Sequence, residues 1–236
     1  MKLESYYLDI ANQQNSCIKL VYSQNSEIIY QIHQKIDDLN SIFSLSNGRQ
    51  EHFAFQSSLH DVAMALYCSI NGMYRQSYVS QRVALENSIG ALFYSANLIN
   101  LKKWACGEED VSWRKVTSSE GGVFTKEYFS AFSNLNEEYR EEYRVKASSS
   151  YAKLSDFVHK NVKVYEIDNH IFCYDSGNFK KTIDDLASVI DIISFCYCVR
   201  YLQESNVDSR EKCSQAIDAL VGHIPYFQNL IGGQGV

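Results

Sequence analysis

An all-α fold is what this sequence predicts, on three observations. A single proline in 236 residues leaves long helices unbroken. Apolar residues recur at three- and four-residue steps through most of the chain, the period of helices with one face on a core. Only one interval, 162–174, alternates as strands do. The expected architecture is therefore a multi-helix bundle with a small β-hairpin insertion near 162–174. One domain over 1–236 is expected, with a helical N-terminal extension at about 1–50, a core at about 51–204 and a C-terminal helix at 209–231.

The elements follow in order. Over 17–43, Ile18, Val21, Ile29, Ile32, Ile36, Leu39 and Phe43 make an amphipathic helix that ends at Asn47-Gly48. Phe55, Leu59, Val62, Leu66 and Ile70 repeat the pattern until Gly72, which suits a helix C-terminus. A third helix is expected over 74–101. The stretch 104–123 loses the period and carries Gly107, Glu108 to Asp110 and Gly121-Gly122, so it reads as a mobile surface loop. Helices resume near Thr125 and over 136–160. Val162, Val164, Tyr165 and Ile167, then Ile171, Phe172 and Tyr174, flank Asp168-Asn169-His170 as the two arms of a hairpin lying on the helices as a flap. A strongly apolar helix covers 179–204. The last helix, 209–231, has Ser209 as its N-cap and Pro225 as a kink or break.

Composition excludes several function classes. With 45% hydrophobic and 21% charged residues and a net charge of −6, the chain buries a real core and carries no global basic footprint for nucleic acid. The N-terminus has an early acid and no apolar run. The most apolar stretch, 189–199, is interrupted by Asp191 and is half of the ~20 residues that a bilayer crossing needs. A cytoplasmic protein without membrane contact is expected. The seven cysteines are scattered, with no Cys-x-x-Cys pair, and read as core hydrophobes in a reducing compartment. No phosphate loop, dinucleotide fingerprint, zinc motif or calcium loop occurs, so no cofactor and no metal are expected.

Two constellations carry chemistry. On a wheel centred on Arg82, the residues Tyr78, Leu85, Ile89, Phe93 and Ala96 fall on the same side, as do Arg75 and Glu86. Arg82 thus sits on an apolar stripe. It is half of a buried Arg82/Glu86 ion pair, whose disruption costs about 3–5 kcal/mol, or it lies on an N-terminal half of the helix that is partly exposed, or it is an anion ligand in a polar cleft that Arg75 joins. Further on, Tyr151, Ser155 and His159 stand four apart on one helix face, beside Lys153 and Lys160. His159 next to a hydroxyl suits general acid–base work near neutral pH; the bland alternative is a histidine complementing a helix C-terminus. Ser155 lacks the Gly-x-Ser-x-Gly elbow of a nucleophile.

Arg82-x3-Glu86 on one helix, followed by Tyr151-x2-Leu154-Ser155-x2-Val158-His159 before a hairpin, resembles bacterial all-helical proteins related to the HEPN superfamily. The resemblance covers roughly 64–203. Members often act as ribonucleases in toxin–antitoxin and antiviral defence systems, with Arg-x4-6-His placing an arginine on the scissile phosphate and a histidine as the acid–base group across a dimer. That resemblance implies a metal-independent endoribonuclease with His159 and Arg82 catalytic, Lys160, Lys153, Ser155, Tyr151 and Arg75 around the substrate, and Glu86 orienting Arg82. It implies a homodimer acting on RNA or with a partner protein of a defence system. The pattern's arginine has no direct counterpart, since Lys153 stands six residues before His159 and the nearest upstream arginine is Arg144. Either Lys153 substitutes, Arg82 reaches in from another helix, or the chain is a non-enzymatic sensor or interaction subunit.

Overall fold

In the computed structural model, which describes residues 3–159 and 172–232, the chain is all-α. The elements are α1 (Leu3–Phe43), a 3₁₀ turn (Ser44–Ser46), α2 (His52–Ile70), α3 (Tyr74–Ser95), α4 (Leu98–Ala105), α5 (Trp113–Val116), α6 (Lys126–Phe132), α7 (Glu137–Val158), α8 (Ser176–Tyr201), α9 (Val207–Lys212), α10 (Ser214–Val221) and α11 (Pro225–Leu230).

The apolar side chains of these helices merge into one cluster. At its centre lies α8, which is buried on every side from Ile192 to Tyr201. That is why its run of Ile, Phe, Cys and Tyr shows little polar alternation. Tyr143 of α7 stacks on Phe195 with ring centroids 3.6 Å apart. Phe43, Phe55 and Tyr197 pack as a triad, and the Tyr197 hydroxyl donates to the Phe43 carbonyl at 2.9 Å. Helix α3 is almost as enclosed. Its small polar face of Ser77, Gln81 and Ser88 is buried against α2 and α8. Gln81 answers that burial by donating to Ser77 Oγ and to the Thr182 carbonyl, both at 3.1 Å.

Local rules set the helix ends. Asn97, Thr125, Asn136, Asp175 and Asn206 each accept a backbone N–H from the first turn of the helix they open. At the end of α2, Gly72 adopts φ +71° while Met73 N–H bonds to Cys68 O at 2.8 Å and Gly72 N–H to Ser69 O at 3.1 Å. These are the two bonds of a Schellman ending. A Cβ at Gly72 would also lie 2.6 Å from the Cys173 carbonyl oxygen, so glycine is required there twice over.

Several expectations need correction. The third helix stops at Ser95, because the Asn97 side chain caps a separate α4. The stretch 104–123 is a strap on the surface, mostly exposed, that carries the end of α4 and the short α5 and is tied down at a few points. Val116 and Val123 are buried, Val123 N–H bonds to Val116 O at 2.9 Å, and the Tyr94 hydroxyl donates to the Asp110 carbonyl at 3.0 Å. Its apolar anchors simply lack a regular period. Gly90, in the middle of α3, makes room for one of them: a Cβ there would meet Val111 at 2.8 Å. The C-terminal helix expected over 209–231 is three helices, α9 to α11. It begins at Asn206, whose side chain accepts from Ser209 N–H, so Ser209 is inside the helix and not its cap. The hairpin expected at 162–174 lies mostly outside the described residues; the described part, Phe172–Tyr174, contains no strand. Helix α1 starts well before residue 17 and kinks at Asn25 (φ −136°, ψ 20°). Among the described residues no helix is long and apolar enough to cross a membrane.

Candidate functional site

Helices α3 and α7 pack antiparallel, and the polar residues singled out from the sequence lie along their seam. Arg82 and Glu86 are one turn apart on α3, with Arg82 Nη2 3.6 Å from Glu86 Oε2. Between them stands Tyr151 of α7. Arg82 Nη2 donates to the Tyr151 hydroxyl at 2.7 Å, and that hydroxyl donates to Glu86 Oε1 at 3.2 Å. Trp113 of the strap stacks on the Tyr151 ring, centroids 4.1 Å apart and planes within 2°. The guanidinium carbon of Arg82 lies 4.9 Å from the centre of that ring. Only 17% of the Arg82 side chain and 21% of the Glu86 side chain remain exposed. Such an enclosed charge needs a partner, and here it has a carboxylate, a hydroxyl and an aromatic face.

The other residues sit at different levels. Arg75, two turns before Arg82, donates from Nε to the Phe157 carbonyl at 3.3 Å, and Phe157 stacks on Tyr78 at 3.8 Å. His159 caps the C-terminus of α7: its N–H bonds to Ser155 O at 3.0 Å and its ring is exposed. From Tyr151 to His159 the helix rises about 12 Å. The structure therefore brings together Arg82, Glu86 and Tyr151, and puts Arg75 at the His159 end. Lys153 points elsewhere, pairing with Asp185 of α8 at 2.6 Å. Ser155 Oγ is buried without a hydrogen-bond partner. Lys160 lies outside the described residues.

No family model, curated protein or solved structure matches this chain. Its chemistry has to be read from its own side chains. Among the described residues no group of three His, Cys, Asp or Glu could hold a metal ion. Five of the seven cysteines are buried, and Cys106 and Cys173 are exposed. Burial pushes the Cys196 and Cys198 thiols far up, which keeps them protonated and unreactive.

Sequence reasoning passed over two features. The first is a polar ladder between the antiparallel α7 and α8. Lys146 pairs with Asp191, Ser150 faces Ser188 at 3.5 Å, and Lys153 pairs with Asp185. At its end the Tyr143 hydroxyl donates to Asp191 at 3.1 Å and lies 3.4 Å from His223 Nε2. Burial, then the Asp191 charge, raises the Tyr143 phenol far above its usual range. The three- and four-residue spacing of Lys146, Ser150 and Lys153 was visible, but it means something only once the α8 partners are known. The second is a predominantly apolar groove of about 520 Å³ between α1 and α2, walled by Tyr22, Ile29, Tyr30, Leu66, Tyr67 and Ile70, with His33 at its rim. Of its walls, Ile29, Leu66 and Ile70 read as ordinary core positions, and nothing local in the sequence marks a groove between the two helices.

Proposed function

We propose that this protein is a non-enzymatic helical interaction subunit, HEPN-like in its residue pattern and working with a partner in a bacterial defence or toxin system. The observation that carries this is the state of Arg82. Its Nη2 is held by both Glu86 and the Tyr151 hydroxyl and the group lies against the Tyr151 ring in a half-closed seam, so turning it onto a phosphate would loosen those contacts, although its Nε has no hydrogen-bond partner. Its role is to fix α3 against α7. The separation of Arg82 from His159 along α7 supports the same reading, since a metal-independent cleavage needs both groups on one phosphate. The defence setting rests on the resemblance alone.

A second reading, a metal-independent endoribonuclease acting on RNA, is favoured by one arrangement. Arg75, with its Nε on the Phe157 carbonyl, comes to the end of α7 where the exposed His159 sits, and Lys160 follows in sequence. In that reading Arg75, and not Arg82, is the phosphate ligand and His159 the acid–base group. The test is His159→Ala, whose exposed ring makes a loss of less than about 1 kcal/mol in stability expected. The subunit reading expects His159→Ala to match the parent in RNA cleavage and in growth arrest. A folded His159→Ala protein that has lost a cleavage activity present in the parent overturns it in favour of the ribonuclease.

A further inference from the structure

We propose that Cys17 of α1 and Cys173, just before α8, are a reversible disulfide site at which peroxide ties the first helix to the most deeply buried one. This does not depend on whether the protein cleaves RNA.

One turn of backbone brings the two residues together. Cys17 Sγ lies 3.9 Å from the carbonyl oxygen of Ile70, the last residue of α2. Two residues on, Gly72 is so close to Cys173 that a Cβ there would sit 2.6 Å from its carbonyl oxygen and 2.9 Å from its nitrogen. Cys17 and Cys173 therefore flank the same short turn, 70–72. Contacts on either side keep them there. Gln14, one turn before Cys17, donates to Asn71 Oδ1 at 2.8 Å, and Asn25, two turns after it, donates to the Tyr174 hydroxyl at 3.0 Å. The Tyr74 hydroxyl donates to the Asp175 carbonyl at 3.1 Å and accepts from the Asp175 N–H at 3.0 Å. The electrostatics agree: the Cys17 thiol is raised by burial and then by the charge of a neighbouring Cys173 thiolate.

The two thiols differ as an attacking and a resolving cysteine do. Cys173 is exposed, and over Phe172–Tyr174 neither helix nor strand bonds hold the backbone. Cys17 is only 4% exposed and stays protonated, so oxidants in solution do not reach it first. The Cys173 thiolate attacks one oxygen of hydrogen peroxide and breaks the O–O bond. It becomes a sulfenic acid, and the hydroxide released takes up the proton that Cys173 had shed. The Cys17 sulfur then attacks the Cys173 sulfur. The S–S bond forms, and the displaced hydroxide leaves as water with the Cys17 proton. Two thiols and one peroxide thus give one disulfide and two waters, with two electrons passing from sulfur to oxygen. A sulfur held beside its partner outcompetes a second peroxide for the sulfenic acid. Where thiols are kept reduced, a bond of this kind lasts only while oxidant is present.

The test is peroxide treatment of the folded full chain, in a Cys106→Ser background that removes the other exposed thiol. Alkylation, trypsin digestion and mass spectrometry without reduction follow. Trypsin leaves each residue as the one cysteine of its peptide, Cys17 in 3–19 and Cys173 in 164–180. The two peptides should appear joined, lighter than their sum by two hydrogens, and dithiothreitol should part them. Because the bond closes a long loop, the oxidised protein should melt about 5–10 °C above the reduced one. In Cys17→Ala, dimedone should label Cys173 as its sulfenic acid, and no joined peptide should form. Two results overturn the proposal. One is a parent in which Cys173 goes on to sulfinic acid while Cys17 remains open to alkylation after unfolding. The other is a joined peptide that forms only when the chain is oxidised in urea.

Discussion

Removing Arg82 should destabilise the fold by about 2 kcal/mol, the low end of what its contacts are typically worth, because 17% of its side chain stays open to water. Arg82→Ala deletes a charged hydrogen bond to Tyr151, typically about 1.5–3 kcal/mol, and a cation–π contact of about 0.5–1 kcal/mol. It does not strand Glu86. The Tyr151 hydroxyl still donates to that carboxylate at 3.2 Å, and 21% of the Glu86 side chain is open to water. The orphan-charge penalty of about 3–5 kcal/mol is therefore not reached. Tyr151→Phe keeps the stack on Trp113 and the Arg82–Glu86 pair, so it should cost about 1 kcal/mol. The double variant takes away both partners of Glu86, so it should lose more than the roughly 3 kcal/mol sum of the single losses. In a chain of this length 2 kcal/mol lowers Tm by about 4–8 °C, readable by differential scanning calorimetry. An Arg82→Ala protein melting within about 1 °C of the parent would sink this account. Strictly additive losses in the double variant would do the same.

Two further outcomes follow from the fold. Gly72→Ala and Gly107→Ala both place a side chain at positive φ, for about 1 kcal/mol of strain each. Only at Gly72 does the new Cβ also meet backbone, the Cys173 carbonyl at 2.6 Å, so Gly72→Ala should melt several degrees below Gly107→Ala; equal melting points would refute the close approach. Glu204 is partly buried, which alone would raise its carboxyl, but its bonds to Arg200 and Arg49 outweigh that and hold it below the usual carboxylate range. A depressed folded-state value contributes stability above the unfolded carboxylate range that is lost as pH falls through the folded one. The parent's advantage over Glu204→Gln should accordingly be full near pH 6 and shrink below about pH 4.5. An advantage independent of pH in thermal melts would contradict it.

What could be read from the sequence is what depends on period and punctuation. Val21, Ile29, Ile32, Ile36, Leu39 and Phe43 are buried as their spacing requires, and Gly72 ends α2. The errors share a cause. Ser209 and Asn206 are both good N-caps, and only the geometry of Asn206 decides between them. The strap at 104–123 has no period because Val111, Val116 and Val123 are anchored one at a time against α3 and its neighbours. At the candidate site, the Arg82/Glu86 pair was legible because it lies within one helix. Tyr151 as its third member, and Arg75 rather than Arg82 on the Phe157 carbonyl at the end of α7, depend on how α3 and α7 slide past each other, which no local signal encodes.

The anchoring of α1 has a mechanical consequence. Gln14 grips Asn71, and the kink at Asn25 is wedged by its own amide, which donates to the Val21 carbonyl and to the Tyr174 hydroxyl, both at 3.0 Å. The first turns of the helix project past Gln14 and the end of α2, a cantilever whose fulcrum is the turn between α2 and α3. Any sideways load on the tip is delivered to Asn71 and Gly72. That turn bears directly on Cys173, and Tyr74 just after it holds Asp175 through its hydroxyl. Force applied to the first three turns of the chain therefore arrives at the start of α8, the most deeply buried helix in the molecule.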